Sequence, residues 1–382
     1  MSLSVQPPVT HDLRHALRKN NHVLRVIGFL PKEERDSLTH VDRFFNGFFR
    51  LFRGLEVSQS SIRNPSLCSS ALKGLHGAAV TLGKIGEFSG VLVAQNQSLR
   101  IMKCIKLDTR SDEFASFLRG KGFSHRSLGQ FHEALTCFRQ ALSIKQGVHK
   151  RKDYEDVAVA HRDISDLLKR QGQFKQALGA GQQALNIRQR LYPKGHILVA
   201  ESLENVAFLM TRLSDYDAAL NHYRQALKIL KNEHDGDHFE TAVCLSNVAF
   251  VCQKLGDFEL ALESSRESHD MRKRLEQPPL SIAKSSNKVG LLLSSLGRLG
   301  EALSYFKEAT ILSLVAVGSS SEDVDVYVRN VISALGRIAN GPLKRQTVQE
   351  VLSTCIERLG QSHELTQLLR AESGSNSFCL MM

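Results

Sequence analysis

Hydrophobic and polar positions along this chain follow a helical period that a short turn interrupts at regular intervals. In residues 213–229 a polar pair, Ser214-Asp215, precedes an aromatic residue, Tyr216, and a run with helical apolar spacing. Ala219 and Ala226 lie two helical turns apart, so one face of the predicted helix carries small side chains. A second helix can approach such a face closely. The stretch therefore predicts a turn followed by a tightly packed helix.

This pattern occurs six times along the chain, and we number the copies as repeats one to six. Their turn residues are Gly86, Gly129, Gly172, Ser214, Gly256 and Gly297, at intervals of 41–43 residues. The fifth residue after the turn is an alanine, or Val91 in the first copy, and the twelfth is alanine or serine. A further small residue lies seven positions before each turn. Each copy thus predicts a helix, a turn and a helix, which indicates a repeat protein.

The signature Leu-Gly-x-Phe/Tyr-x-x-Ala-Leu, with a second Ala-Leu seven residues later, resembles the tetratricopeptide repeat. The repeat here is longer than the usual length of roughly 34 residues and is similar to the long repeats of kinesin light chains. The stretch at 235–250 resembles the linker of that group, with Phe239 in place of its proline. The resemblance covers about residues 70–310. It implies an all-α fold, a right-handed superhelical solenoid of antiparallel helix pairs with helical caps.

Segments outside the repeats are predicted to flank the array. Residues 1–57 are interpreted as an N-terminal helical cap, although the basic, Phe-rich helix at 43–53 could instead lie on a membrane surface. Residues 58–70 form a linker and residues 71–316 the array. A degenerate repeat or C-terminal cap follows at 317–370, and a disordered tail at 371–382.

Composition and motifs narrow the predicted function to binding. Seven cysteines without framework spacing favour a reducing, cytoplasmic setting. No nucleotide-binding, hydrolase or metalloprotease motif is present, so we predict neither enzyme activity nor a cofactor. His234 and His238 have metal-capable spacing around an acidic turn. Because they coincide with the linker of the resembled family, we interpret them as a turn and predict no metal.

The resemblance implies that the first helix of each repeat lines a concave groove. Nine positions before the turns lie Asp163, Asn205 and Asn247, where the resembled proteins often use asparagine to hold a peptide backbone. An amide side chain can both donate and accept hydrogen bonds, as this role requires. Six positions before the turns, Phe208 and Phe250 provide an apolar floor or, alternatively, pack between neighbouring helices.

Basic residues recur beside these positions, and the chain has a net charge of +11. In the middle repeats they are Arg162, Lys169, Arg170, Arg212 and Lys254. Cations of one sign in successive repeats create a field that favours anions, and Arg suits carboxylate and phosphate recognition. We interpret the chain as a scaffold or adaptor that binds an acidic peptide in the groove. The alternative is a nucleic-acid-associated helical-repeat protein that uses the same basic groove.

The last four residues, Cys379-Leu380-Met381-Met382, fit the C-a-a-X pattern for prenylation. Farnesylation of Cys379 would place part of the protein at membranes. A chance match is the alternative, because the four positions are loosely defined.

Overall fold

The computed structural model describes residues 108–148, 154–317, 322–338 and 341–372, together with scattered residues between 79 and 102. All regular structure in these residues is helical, which confirms the predicted all-α class. Thirteen helices have described bounds: α1 (Asp112–Ser127), α2 (Phe131–Val148), α3 (Glu155–Arg170), α4 (Phe174–Leu191), α5 (Ile197–Arg212), α6 (Tyr216–Glu233), α7 (Phe239–Leu255), α8 (Phe258–Arg274), α9 (Pro279–Ser295), α10 (Leu299–Val317), α11 (Glu322–Arg337), α12 (Pro342–Leu359) and α13 (Glu364–Glu372). The predicted N-terminal cap, the linker and Cys379 lie outside the described residues.

The chain divides into two compact units, residues 1–148 and 149–382. In the first unit α1 packs on α2 around Phe114, Leu118 and Ala141. In the second unit the helices pair as predicted: α3 with α4, α5 with α6, α7 with α8 and α9 with α10. Each second helix also packs on the first helix of the next repeat. One apolar core therefore extends through consecutive repeats of the second unit.

Every predicted turn residue adopts a left-handed backbone conformation. The φ angle lies between 64° at Ser214 and 84° at Gly256, and the other four glycines fall within this range. The hydrogen bonds are those of a Schellman motif: around Gly256, the Asp257 N–H donates to the Cys252 carbonyl at 3.0 Å. The same bond recurs at the other described repeat turns from 129 to 297. Glycine is favoured because a β-carbon opposes this conformation, and Ser214 is the exception in this set.

Small residues lie where the two helices of each repeat cross. The predicted small positions are buried, apart from half-buried Ala79. In repeat six, a β-carbon added at Gly290 of α9 would lie 2.6 Å from the ring of Phe306 on α10. In repeat three, a β-carbon at Gly181 would lie 3.3 Å from the Ser165 hydroxyl. Small and large side chains therefore compensate for one another across the crossing.

A buried arginine joins repeats three and four. Arg188 of α4 is 1% exposed, and its guanidinium lies 2.8 Å from the Glu155 carboxylate of α3. It also donates to the Leu198 carbonyl at 3.0 Å and to Glu201 at 3.2 Å, both on α5. A buried charge requires such partners, because an unpaired ion in the interior is strongly unfavourable. This one side chain therefore fixes three helices relative to one another.

The C-terminal helices depart from the simple helix-pair pattern. Helix α12 packs against α10 and α13, and α13 also packs against α11. The short helix α13, which the sequence pattern did not predict, buries Leu365 and Leu369. Whether this segment acts as a degenerate repeat or a cap stays a prediction. None of the helices in the described ranges is both long enough and apolar enough to cross a membrane.

Gly290→Ala is expected to lower the free energy of unfolding by roughly 1–3 kcal/mol, because the added methyl group overlaps the Phe306 ring. Gly179 is the matched control: it is an exposed residue within α4, and a β-carbon there would have no neighbour within 4 Å. Gly179→Ala should stabilise the protein by about 0.5–1 kcal/mol through helix propensity. Urea-induced unfolding measures both. Equal stabilisation by the two substitutions would contradict the close helix crossing.

Candidate functional site

The two asparagines predicted to grip a peptide differ in their surroundings. Asn205 of α5 donates to the Ser165 hydroxyl at 3.1 Å and accepts from the Lys169 ammonium at 3.1 Å, so it bridges α5 to α3. Asn247, at the equivalent position of α7, is half-buried and makes no hydrogen bond to another described side chain. Its amide can therefore accept and donate to an incoming group without breaking an internal bond.

A row of large apolar side chains is exposed on three successive first helices. Phe208 of α5 is 39% exposed, Phe250 of α7 is 46% exposed and Leu291 of α9 is 41% exposed. All three lie six positions before their turn residue. We call these three residues the apolar row. The alternative given above is packing between neighbouring helices. Such packing buries only part of the surface of each of these side chains.

Two of the predicted basic residues have carboxylate partners within the protein. Lys169 lies 2.7 Å from Asp166, and its ammonium also lies 5.4 Å from the Phe208 ring centroid. Arg162 lies 3.7 Å from Glu201 and 3.8 Å from Asp163. Asp163 itself is only 4% exposed, so its carboxylate belongs to the interior rather than to the surface.

Three other predicted basic residues are exposed and form no ion pair with a described carboxylate: Arg170, Arg212 and Lys254. The Lys254 ammonium lies 5.5 Å from the Phe250 ring centroid, and the Arg212 guanidinium lies 4.9 Å from that of Phe174. These cation–π contacts hold the side chains over aromatic faces while leaving their charges in contact with solvent. The three cations therefore remain available to an anionic partner.

Two further ionisable groups beside these positions have perturbed pKa values. Desolvation lowers the pKa of exposed Lys288, which occupies the Asn247 position of α9, and the charge of nearby Arg272 lowers it further. Because the charged form of Lys288 is poorly hydrated, a nearby anion would stabilise it.

Burial raises the pKa of Glu204 to about 7, and the sequence analysis did not identify this residue as functional. The one feature of the sequence that could have pointed to Glu204 is its position directly before Asn205.

The histidine pair predicted to form a turn lies at the junction of α6 and α7. The His234 and His238 rings stack with centroids 3.5 Å apart, and the two rings lie close to Glu240. His238 Nδ1 accepts from the Glu240 backbone N–H at 3.3 Å, so it caps α7. The preceding linker has the same arrangement: Tyr192 stacks on His196, which caps α5. A metal lies in the plane of a ligating imidazole, so two stacked rings are poorly placed to share one.

Buried Ser285 and His269 and half-buried Glu308 have the composition of a catalytic triad but a different hydrogen-bond pattern. The Ser285 hydroxyl donates to the Ile282 carbonyl at 2.8 Å and therefore accepts from His269 Nδ1 at 2.9 Å. His269 Nε2 lies 3.1 Å from the Glu308 carboxylate. Because Ser285 is buried and its hydroxyl proton goes to the Ile282 carbonyl, His269 is not placed to act as its base. The cluster joins α8, α9 and α10 instead.

A family model for the tetratricopeptide repeat matches residues 113–190 and 198–274, which correspond to α1–α4 and α5–α8. Both segments therefore match the repeat of this family. The resemblance drawn from the turn and alanine positions is thereby confirmed. Helices α9 and α10 pack as a further helix pair beyond the matched segments.

The chain is similar to several solved structures. BtubC (BKLC) from P. vanneervenii is 18% identical, with a TM-score of 0.52, over 64% of this chain and 93% of that one. A putative kinesin light chain from Podosopora anserina with nearly identical TPR-like repeats is 15% identical, with a TM-score of 0.49, over 55% and 99%. At 18% identity the likeness to BtubC concerns the fold alone. No curated protein matches the sequence.

Glu308 is expected to make stability depend on pH in the acidic range. Partial burial raises the pKa of Glu308, but hydrogen bonds from His269, Lys273 and Ser286 outweigh it and bring the pKa to about 2, from an ordinary 4.5. A lowered carboxyl pKa stabilises the fold above pH 4.5, and this contribution is lost as pH falls toward 2. Glu308→Gln should therefore cost roughly 3 kcal/mol at neutral pH and progressively less below pH 4.5. Urea unfolding across this range would contradict the assignment if the difference between the two proteins stayed constant.

Asn205→Ala and Asn247→Ala are expected to differ in their effect on stability. Loss of the Asn205 bridge to Ser165 and Lys169 should lower the free energy of unfolding by about 1 kcal/mol or more. Asn247→Ala removes no internal hydrogen bond and should change it by less than about 0.5 kcal/mol. Thermal and urea unfolding of the two variants provide the comparison. Equal losses would mean that both residues serve the repeat junctions.

Proposed function

We propose that this protein is a non-enzymatic scaffold that binds an extended segment of a partner protein across its first helices. The segment places apolar side chains on the apolar row and acidic side chains beside Arg170, Arg212 and Lys254. The exposure of Phe208, Phe250 and Leu291 at one repeat position is the observation that carries this proposal. Tetratricopeptide repeats commonly serve protein interaction, which agrees with this surface.

The apolar row supplies the contact area that association requires. Large apolar side chains aligned on consecutive elements are a common feature of interaction surfaces, and buried aromatic anchors supply much of the binding energy. The first helices that carry the row, α5, α7 and α9, alternate with second helices along the array, so the row spans three repeats. An extended segment, which advances about 3.3 Å per residue, needs several residues to cover it.

The polar groups beside the row fit the backbone and the side chains of such a segment. Asn247 can hold a peptide group, since its amide has no hydrogen bond to another described side chain. Arg170, Arg212, Lys254 and Lys288 offer positive charge that no described carboxylate neutralises. Asn205, Lys169, Arg162 and Asp163 instead hold the junction between repeats three and four. We therefore assign ligand contact to the first group and structural support to the second.

The nucleic-acid alternative receives less support from the same surface. Asp166, Glu201 and Glu204 lie on the same helices as the basic residues, and they oppose a phosphate at every nucleotide more than they oppose a few separated acidic side chains. Proteins that bind single strands without sequence preference stack successive bases on successive aromatic side chains. The apolar row offers only two aromatic side chains for such stacking.

Selection from a phage-displayed library of random peptides of about twelve residues tests the proposal on the full chain. The enriched peptides should combine aromatic or aliphatic residues with Asp or Glu. Phe250→Ala and Asn247→Ala should each weaken the best peptide about tenfold or more, measured by isothermal titration calorimetry. Arg170→Glu/Arg212→Glu/Lys254→Glu should weaken it similarly and flatten its dependence on salt.

Val315→Ser is the matched control, because Val315 is 53% exposed but lies on a second helix, α10. It should leave affinity unchanged. A library that yields no binder, or binders indifferent to the substitutions at Phe250 and Asn247, would overturn the proposed function. Steeply salt-dependent binding of single-stranded RNA would favour the nucleic-acid alternative.

A further inference from the structure

Glu204 lies on the same surface as the apolar row. It precedes Phe208 by four residues on α5, and residues at this spacing lie on one face of a helix, about 6 Å apart along its axis. Its side chain is half-buried, while the neighbours on either side along that face, Glu201 and Phe208, are exposed. The half-buried side chain of Glu204 therefore borders the exposed part of this face, on the side of Phe208.

The other residues at this repeat position have polar partners, whereas Glu204 has only a weak one. Arg162 of α3 pairs with carboxylates, Ser246 of α7 bonds to Ser268, and Asn287 of α9 accepts from Asn330 at 2.8 Å. The group that can donate to Glu204 in the described part of the chain is the Cys244 thiol of α7, whose one proton the Tyr223 carbonyl also accepts at 3.6 Å. A thiol is a weak donor.

The charged groups around Glu204 do not compensate for this weak hydrogen-bond partner. Glu201 on its own helix and Glu240 on α7 both oppose ionisation of Glu204, and α6 presents the buried phenol of Tyr223. Burial is the largest cause, and together these effects raise the pKa of Glu204 to about 7. A cation brought to this carboxyl group would therefore gain a partner that the protein itself does not satisfy.

We propose that Glu204 binds the ammonium or guanidinium group of a lysine or arginine in the partner segment. This inference rests on the proposed function and adds a specificity-determining residue to it. Because Glu204 and Phe208 lie one helical turn apart, the basic residue of the partner lies within about two residues of the side chain that contacts Phe208. The segment thus combines a basic residue near repeat four with acidic residues near the cations of repeats three to five.

The test uses the same random-peptide library on the full chain and on Glu204→Lys. Peptides selected by the wild type should carry Lys or Arg next to an apolar residue, and Glu204→Lys should select Asp or Glu at that position. Glu204→Gln, a neutral variant of the same shape, should bind the best wild-type peptide at least about fivefold more weakly. Glu263→Gln, which changes an exposed glutamate on α8, is the control and should bind unchanged.

A second readout does not depend on affinity. Since the pKa of Glu204 is about 7, binding of a cation at neutral pH should release about half a proton per complex. Calorimetry in two buffers of different ionisation enthalpy measures this release, which Glu204→Gln should abolish. Peptides that bind without a basic residue and without proton release would overturn the role of Glu204 alone. Absence of any peptide binder would overturn the proposed function as well.

Discussion

The close crossing of two helices within each repeat is the constraint on which the rest of the structure depends. A left-handed residue such as Gly256 reverses the chain within a few residues, and small side chains let the two helices approach. Where the approach is closest, as at Gly290 and Phe306, a hydrogen atom on one helix faces a ring on the other. This geometry fixes the direction of every first helix, and with it the positions of the apolar row.

The repeat architecture was predictable from the sequence because its signals are local. A turn residue, the small residue five positions later and the one seven positions earlier all act within a single helix pair. Consequently the turn at Ser214, the burial of Ala219 and the helix pairing follow from spacing alone. The helix at 364–372 was missed because it is short and lies outside the repeat period.

The candidate site was only partly predictable, because its polar residues differ by contacts between repeats. Asn205 and Asn247 occupy one repeat position and share one residue type, yet only Asn205 bridges to Lys169 on another helix. That partner lies 36 residues away, and no local pattern reveals it. Glu204 was missed for the same reason. What distinguishes it is the lack of a strong polar partner of the kind that its counterparts Arg162 and Asn287 possess.

The polar junctions between repeats also differ in kind, although the helices that they join are alike. Repeats three and four meet at a buried guanidinium, Arg188, whereas repeats five and six meet at a buried imidazole, His269, bound to Glu308. Each junction needs matching groups on both sides, because an ion buried without its partner is strongly unfavourable. The repeats are therefore not interchangeable modules. Duplicating or deleting one would join surfaces whose charges do not match, so the order of the repeats is part of the fold.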